Sequence, residues 1–198
     1  MRSGGAALAM RVFLVGVACV GKTTVGAILA RRLGCRFLDL DEEVERHFGA
    51  SVERLQARFL TGYGYRVQAA AVLGQLAGDS ADSVVALPPN GLKDAFLRVI
   101  KKIDCTVVVL EDTPENVLAR IAFFDVDSRP TEKHLTDEEK RLYLREIKKD
   151  ITFFRKSYER AHLRVSIAGL DAKAAAAKIE QGLAEHSAAG APSASWSS

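Results

Sequence analysis

After a short apolar run, Val12 to Val15, the chain reads Gly16-Val17-Ala18-Cys19-Val20-Gly21-Lys22-Thr23-Thr24, and then Val25, Ile28, Leu29 and Leu33 recur at helical spacing. The segment matches G-x-x-x-x-G-K-[ST] in the strand-to-helix setting that gives the motif its meaning. Few folds remain open to such a chain, because the N–H groups of the turn and the positive end of the helix converge on one point that favours a phosphate. Gly16 and Gly21 stand where a β-carbon would obstruct the turn or the approach of phosphate oxygens. Lys22 then offers charge to the outer phosphates, and Thr23 a hydroxyl to Mg²⁺. Cys19 reads as a small neutral spacer, with a thiol activated by the helix terminus as the alternative.

Further strands are expected at Arg36 to Leu40, Ser83 to Leu87, Thr106 to Leu110 and Leu163 to Ile167. Helices are expected between them: Glu42 to Phe48, one capped by Ser51, Tyr65 to Leu76, Leu92 to Lys101, and Thr113-Pro114 to about Ala122. A long helix opens at Thr136 with Leu144, Ile147, Ile151, Phe154 and Tyr158 as its buried stripe, and Asp171 caps a last helix ending near Glu185. Alternating strands and helices imply an α/β fold, a parallel sheet covered on both faces. Phe123 to Leu135 lacks periodicity and reads as a mobile lid.

At 198 residues the chain is expected to form one domain, spanning 11–185, with a flexible extension at 1–10 and a disordered tail at 186–198. Its 28 Lys and Arg against 25 Asp and Glu give +3, too mild for a protein that coats nucleic acid. The excess is local: residues 129–164 hold 11 Lys and Arg against 7 Asp and Glu, which suits attraction of a small anion. Three cysteines without metal-ligand spacing fit a reducing, cytoplasmic setting. Arg11 interrupts the only signal-like run, and no apolar stretch is long enough to span a membrane. A soluble monomer is expected.

Asp39 and Asp41 fall two apart at the end of the second strand, where alternation places both side chains on one side. A carboxylate pair at the carboxyl edge of a parallel sheet sits where open α/β folds bind ligands. One can hold hydrated Mg²⁺ while the other orients or deprotonates a hydroxyl. Alternatively, Asp41 is the N-cap of the following helix.

With Gly16 to Thr23, Phe37-Leu38-Asp39-Leu40-Asp41 and Glu42 to Gly49, the chain resembles the shikimate kinase family over about residues 11–185. The resemblance implies a three-layer P-loop NTPase fold with a five-stranded parallel sheet of order 2-3-1-4-5 and a lid. It implies transfer from ATP, with Mg²⁺, to the 3-hydroxyl of shikimate. Gly16, Ala18, Val20, Gly21, Lys22, Thr23 and Thr24 would cradle the ATP phosphates, Thr23 and Asp39 would belong to the metal shell, and Asp41 would bind the substrate hydroxyls and act as base. By the same resemblance Arg120 packs on adenine and Arg129 is the catalytic lid arginine, while Arg66, after Gly64-Tyr65, and Arg155, before Tyr158, hold the substrate carboxylate. Two arginines suit a carboxylate because the planar guanidinium makes bidentate pairs.

Two departures bear on the acceptor. Where the family carries a Gly-Gly-Gly run, this chain has Leu87-Pro88-Pro89-Asn90-Gly91, and each proline removes an N–H. Gly62, Tyr63 and Ala69 stand where the family tends to have Glu, which leaves Arg66 without an expected orienting partner. Three readings stay open: a shikimate kinase with an unusual substrate loop, a kinase for another small hydroxyl compound such as gluconate, and a nucleotide-binding protein without transfer activity.

Overall fold

The computed structural model describes residues 10–79, 81–121, 123–124, 130–131 and 134–189. Five strands form the central sheet: β1 (Arg11–Val15), β2 (Arg36–Asp39), β3 (Ser83–Ala86), β4 (Thr106–Glu111) and, after a pair of two-residue strands, β7 (Leu163–Ser166). All pair in parallel in the order β2-β3-β1-β4-β7, which is 2-3-1-4-5 when the sheet's own strands are counted along the chain. Successive strand residues face opposite sides, yet Val12, Phe13, Leu14 and Val15 are each at most 1% exposed, so both faces of the central strand are covered.

The helices are α1 (Lys22–Leu33), α2 (Leu40–Phe48), α3 (Val52–Ala57), α4 (Gly62–Gly78), α5 (Asp94–Ile100), α6 (Pro114–Ala119), α7 (Asp137–Tyr158) and α8 (Ala172–Ala188). Their ends follow local chemistry. Gly34 closes α1 in the left-handed region at φ 68, Ser51 caps α3, and Thr136 with Glu139 forms a reciprocal capping box on α7. Asp171 Oδ1 accepts from Ala174 N at 2.7 Å to start α8. The expected stripe of α7 is buried at Ile147 and Tyr158 and half-buried at Leu144, Ile151 and Phe154.

Several boundaries differ from the sequence expectation. The second strand ends at Asp39 and Leu40 already belongs to α2, because Asp39 rather than Asp41 is the N-cap: its carboxylate accepts from Asp41 N at 3.1 Å. Helix α6 stops at Ala119, three residues early. The segment read as aperiodic contains β5 (Phe123–Phe124) paired antiparallel with β6 (Pro130–Thr131). Helix α8 continues to Ala188, past the expected start of the tail, and the rest of the tail at 190–198 lies outside the described residues. Residues 1–9 of the expected extension also lie outside them, but Met10 is tied down, its N–H donating to Asp82 Oδ1 at 2.7 Å and its carbonyl accepting from Ser83 N at 2.9 Å.

The sheet's carboxyl edge positions the chemistry. Strand β1 delivers Gly16 to that edge, β2 delivers Asp39, β3 delivers Leu87 to Asn90, and β4 delivers Glu111 and Asp112.

Candidate active site

Gly16 follows β1 with φ 151, and a β-carbon there would lie 2.7 Å from the Leu110 carbonyl oxygen and 2.9 Å from Val20 Cγ1. Gly21, at φ 106, opens α1. The turn thus requires glycine at both positions named by the motif, once for close approach to β4 and once for the backbone conformation. Cys19 sits exposed between them at φ 58. Lys22 folds over the loop and donates to the carbonyls of Gly16 (2.9 Å) and Val17 (3.0 Å). Burial lowers its pKa to about 8, against the opposing pull of Asp39 and Asp41.

Thr23 donates its hydroxyl to Asp39 Oδ2 at 2.7 Å, while Asp39 Oδ1 caps α2. One carboxylate therefore ties the phosphate loop to the helix that carries Asp41. The expected placement of Asp41 at a strand end, or as a cap, gives way to a place in the first turn of α2. There burial, then the charge of Asp39, pushes its carboxyl up to about 6, and the nearby Lys22 opposes the shift.

Arg120 reaches back to the loop from the end of α6, donating to the Val20 carbonyl at 3.4 Å and pairing with Asp112 at 2.6 Å. The Asp112 side chain is fully buried and also accepts from Thr113 N and Asn116 Nδ2, both at 2.7 Å. Burial raises its pKa, but the hydrogen bonds from Asn116, Arg120 and Thr113 outweigh it and hold the carboxyl below its usual range. Arg120, Val20, Gly21 and Thr24 share a cavity of about 170 Å³ with α8. Ala18 is exposed at the loop's crest. Arg129 and most of the expected lid lie outside the described residues.

A cavity of about 610 Å³ is lined by Asp41, Tyr65, Arg66, Asn90, Asp150 and Phe154 together with Pro88 and Pro89. A wider depression of about 770 Å³ lies on α7 and contains no residue from the sheet's carboxyl edge, so the smaller cavity is the chemical candidate. Arg66 is held by an ion pair to Asp94 Oδ2 at 3.3 Å, a partner absent from the sequence reading. The proline segment is anchored by Tyr158, whose hydroxyl donates to the Pro89 carbonyl at 3.0 Å.

The structure does not bring Arg155 to this cavity. Asp150 and Phe154 are four apart on α7 and face it together, whereas Arg155, one residue further round the helix, joins Ile151 and Tyr158 in a separate cavity of about 200 Å³ with Val17 and Asp112. Asp94, Asp112, Asp150 and Phe154 were missed in the sequence. Asp112 had one signal, an acidic residue closing an apolar strand at the carboxyl edge. The other three depend on how α5 and α7 pack, which no local spacing records.

Comparison with known proteins gives a consistent picture. A shikimate kinase family model matches residues 18–183. The shikimate kinase of Aquifex aeolicus is 32% identical over 158 residues, 79% of this chain and 86% of that protein. Its crystal structure superposes with a TM-score of 0.68 at 28% identity, covering 91% of this chain and 99% of that one. A shikimate kinase from Acinetobacter baumannii, solved in complex with shikimate, gives a TM-score of 0.67 at 28% identity, covering 89% and 93%.

Proposed function

The chain belongs to the shikimate kinase family, a family of phosphotransferases acting from ATP on an alcohol, and on that premise we propose that it phosphorylates shikimate at its 3-hydroxyl. The observation that carries this reading is that Asp41 and Arg66 line one cavity, and that Asp41 is tied to the loop of Gly16 to Thr23 through Asp39. A hydroxyl held at Asp41 and a carboxylate held at Arg66 fit a small hydroxy acid, and Phe154, Pro88 and Pro89 supply apolar wall for its carbon skeleton.

In this mechanism Gly16, Ala18, Val20, Gly21 and Thr24 present the loop and the first turn of α1 to the ATP phosphates. Lys22 leaves the carbonyls of Gly16 and Val17 to neutralise the outer phosphates. Arg120, fixed by Asp112, borders the adenine side, and Arg129 is assigned to the lid by family resemblance alone. Asp41 orients the attacking hydroxyl and accepts its proton, which needs the ionised form. Arg155 is not grouped with Arg66 here. It lines the cavity with Val17 and Asp112, which supports a role toward the phosphates in this reading.

The donors next to Lys22 fit Mg²⁺. Thr23 Oγ1 and Asp39 Oδ2 are hard oxygens 2.7 Å apart, and this ion ordinarily takes one or two protein carboxylates with phosphate and water oxygens filling its octahedron. Thr23 and Asp39 would hold it, and when bound it would supply neutralisation of phosphate charge.

The test is ADP release from Mg·ATP with shikimate, gluconate or a nucleoside monophosphate as acceptor. Shikimate is expected to stimulate well above the ATP-only rate, and Asp41→Asn to lower turnover at least about 100-fold with ATP affinity retained. No stimulation by shikimate rejects the reading. Stimulation by gluconate alone moves the acceptor, and ATP binding without turnover on any acceptor points to a nucleotide-binding protein.

A further inference from the structure

Arg66 needs something to fix its direction, because a long guanidinium side chain at the rim of a cavity otherwise samples many rotamers. Its side chain is 27% exposed and its Nε is buried without a hydrogen-bond partner. Gly62, Tyr63 and Ala69, on the same helix as Arg66, provide no carboxylate. Gly62 does provide room, since a β-carbon there would come within 3.1 Å of Arg66 Nη1. The carboxylate comes instead from the far side of the proline segment: Asp94, the first residue of α5, meets Arg66 Nη2 at 3.3 Å.

Asp94 occupies this place in an unfavourable backbone conformation. Its φ is 49, in the left-handed region where non-glycine residues are uncommon and where Asp and Asn are the best tolerated. Glycine would satisfy the backbone alone. Strained residues that persist are characteristic of sites where the side chain is needed. Tyr63 also lies with its ring centroid 5.9 Å from the Arg66 guanidinium carbon, so the cation meets both an aromatic ring and a carboxylate.

We infer that Asp94 is a positioning residue for the acceptor: it holds Arg66 aimed into the cavity, supplying from α5 the orienting charge that α4 lacks. Nη2 of the guanidinium is committed to Asp94, and Nη1 is left for an acceptor carboxylate. Asp94 itself does not line the cavity and acts through Arg66. The inference rests on the proposed shikimate kinase activity, because it requires an acceptor with a carboxylate.

The experiment measures steady-state kinetics of the full chain with Mg·ATP, varying shikimate and ATP separately, for wild type, Asp94→Asn, Asp94→Gly, Arg66→Ala and the double variant Arg66→Ala/Asp94→Asn. Asn keeps the size and the tolerance for positive φ, and Gly removes the backbone strain, so neither change threatens the fold at that position. Both are expected to raise KM for shikimate about tenfold while KM for ATP stays within about twofold. In the Arg66→Ala background, Asp94→Asn is expected to add nothing, since its effect runs through Arg66. An unchanged KM for shikimate in Asp94→Asn, or effects that multiply in the double variant, overturns the positioning role while leaving the kinase assignment intact. A wild-type enzyme that shikimate does not stimulate overturns both.

Discussion

Asp41 and Lys22 are pushed toward each other in pKa, one up to about 6 and the other down to about 8, in both cases chiefly by burial. The proposed chemistry needs Asp41 ionised and Lys22 charged. Measured as kcat/KM for ATP, which reports the free enzyme, activity is therefore expected to fall below about pH 6 and above about pH 8. Bound phosphates should restore the charge on Lys22, so kcat at saturating Mg·ATP should keep the acid limb and lose the alkaline one up to about pH 9. An alkaline limb that stays put at saturation would show that Lys22 does not meet the nucleotide. The same carboxyl has a cost in stability. Its native pKa is above the ordinary value of 3.8, so between that value and about 6 the native state holds more protons than the unfolded chain, and stability declines as pH rises through that window. Asp41→Asn should accordingly raise the melting temperature at pH 8 by about 2–8 °C, from about 1–2 kcal/mol once solvent screening is allowed for, and change it little at pH 3.5.

At the scale of elements, the proline segment after β3 replaces flexibility with anchors. Pro88 and Pro89 offer no N–H to the cavity, and the carbonyl of Pro89 is held by the Tyr158 hydroxyl of α7 at 3.0 Å. Lys93, at the end of the same segment, lies 3.9 Å from the ring centroid of Phe153 on α7. Tyr158→Phe removes one of these ties without changing ring volume. It is expected to lower stability by about 1 kcal/mol and to raise KM for shikimate several-fold, with KM for ATP unchanged. Equal kinetics would mean that the segment holds its place without α7. These ties also mark how far the sequence could be read. The phosphate loop, the helix caps at Ser51, Thr136 and Asp171, and the five strands were legible because each is written in adjacent residues or a short period. Asp41 was found but misplaced, because Asp39 wins the cap by accepting from Asp41 N. Arg155 was assigned to the acceptor by its neighbourhood to Tyr158, yet one residue of helical rotation sends it to the cavity beside Val17. Asp94 was invisible, since its relation to Arg66 exists only once α4 and α5 pack.

Across the whole molecule, both halves of the proposed site hang from one sheet: β1 and β4 lead to the loop proposed for the nucleotide, and β2 and β3 lead to the cavity proposed for the acceptor. A ligand that binds only the folded chain stabilises it by about 2.7 kcal/mol at 100 times its Kd. For a domain of this size that corresponds to a rise in melting temperature of about 5–10 °C. Mg·ATP should produce such a rise in wild type, in Asp94→Asn and in Tyr158→Phe alike, because Asp94 pairs with Arg66 and Tyr158→Phe keeps the ring beside Val17 and removes only the hydroxyl that bonds Pro89. Lys22→Ala should abolish it, since the lysine's replacement leaves the phosphates without their facing cation. Shikimate at a fixed concentration should show the complementary pattern, with a rise in wild type that shrinks in Asp94→Asn and in Tyr158→Phe and survives in Lys22→Ala. If Lys22→Ala removed both rises, the two sides would not be separate binding units, and the acceptor cavity would form only behind a bound nucleotide.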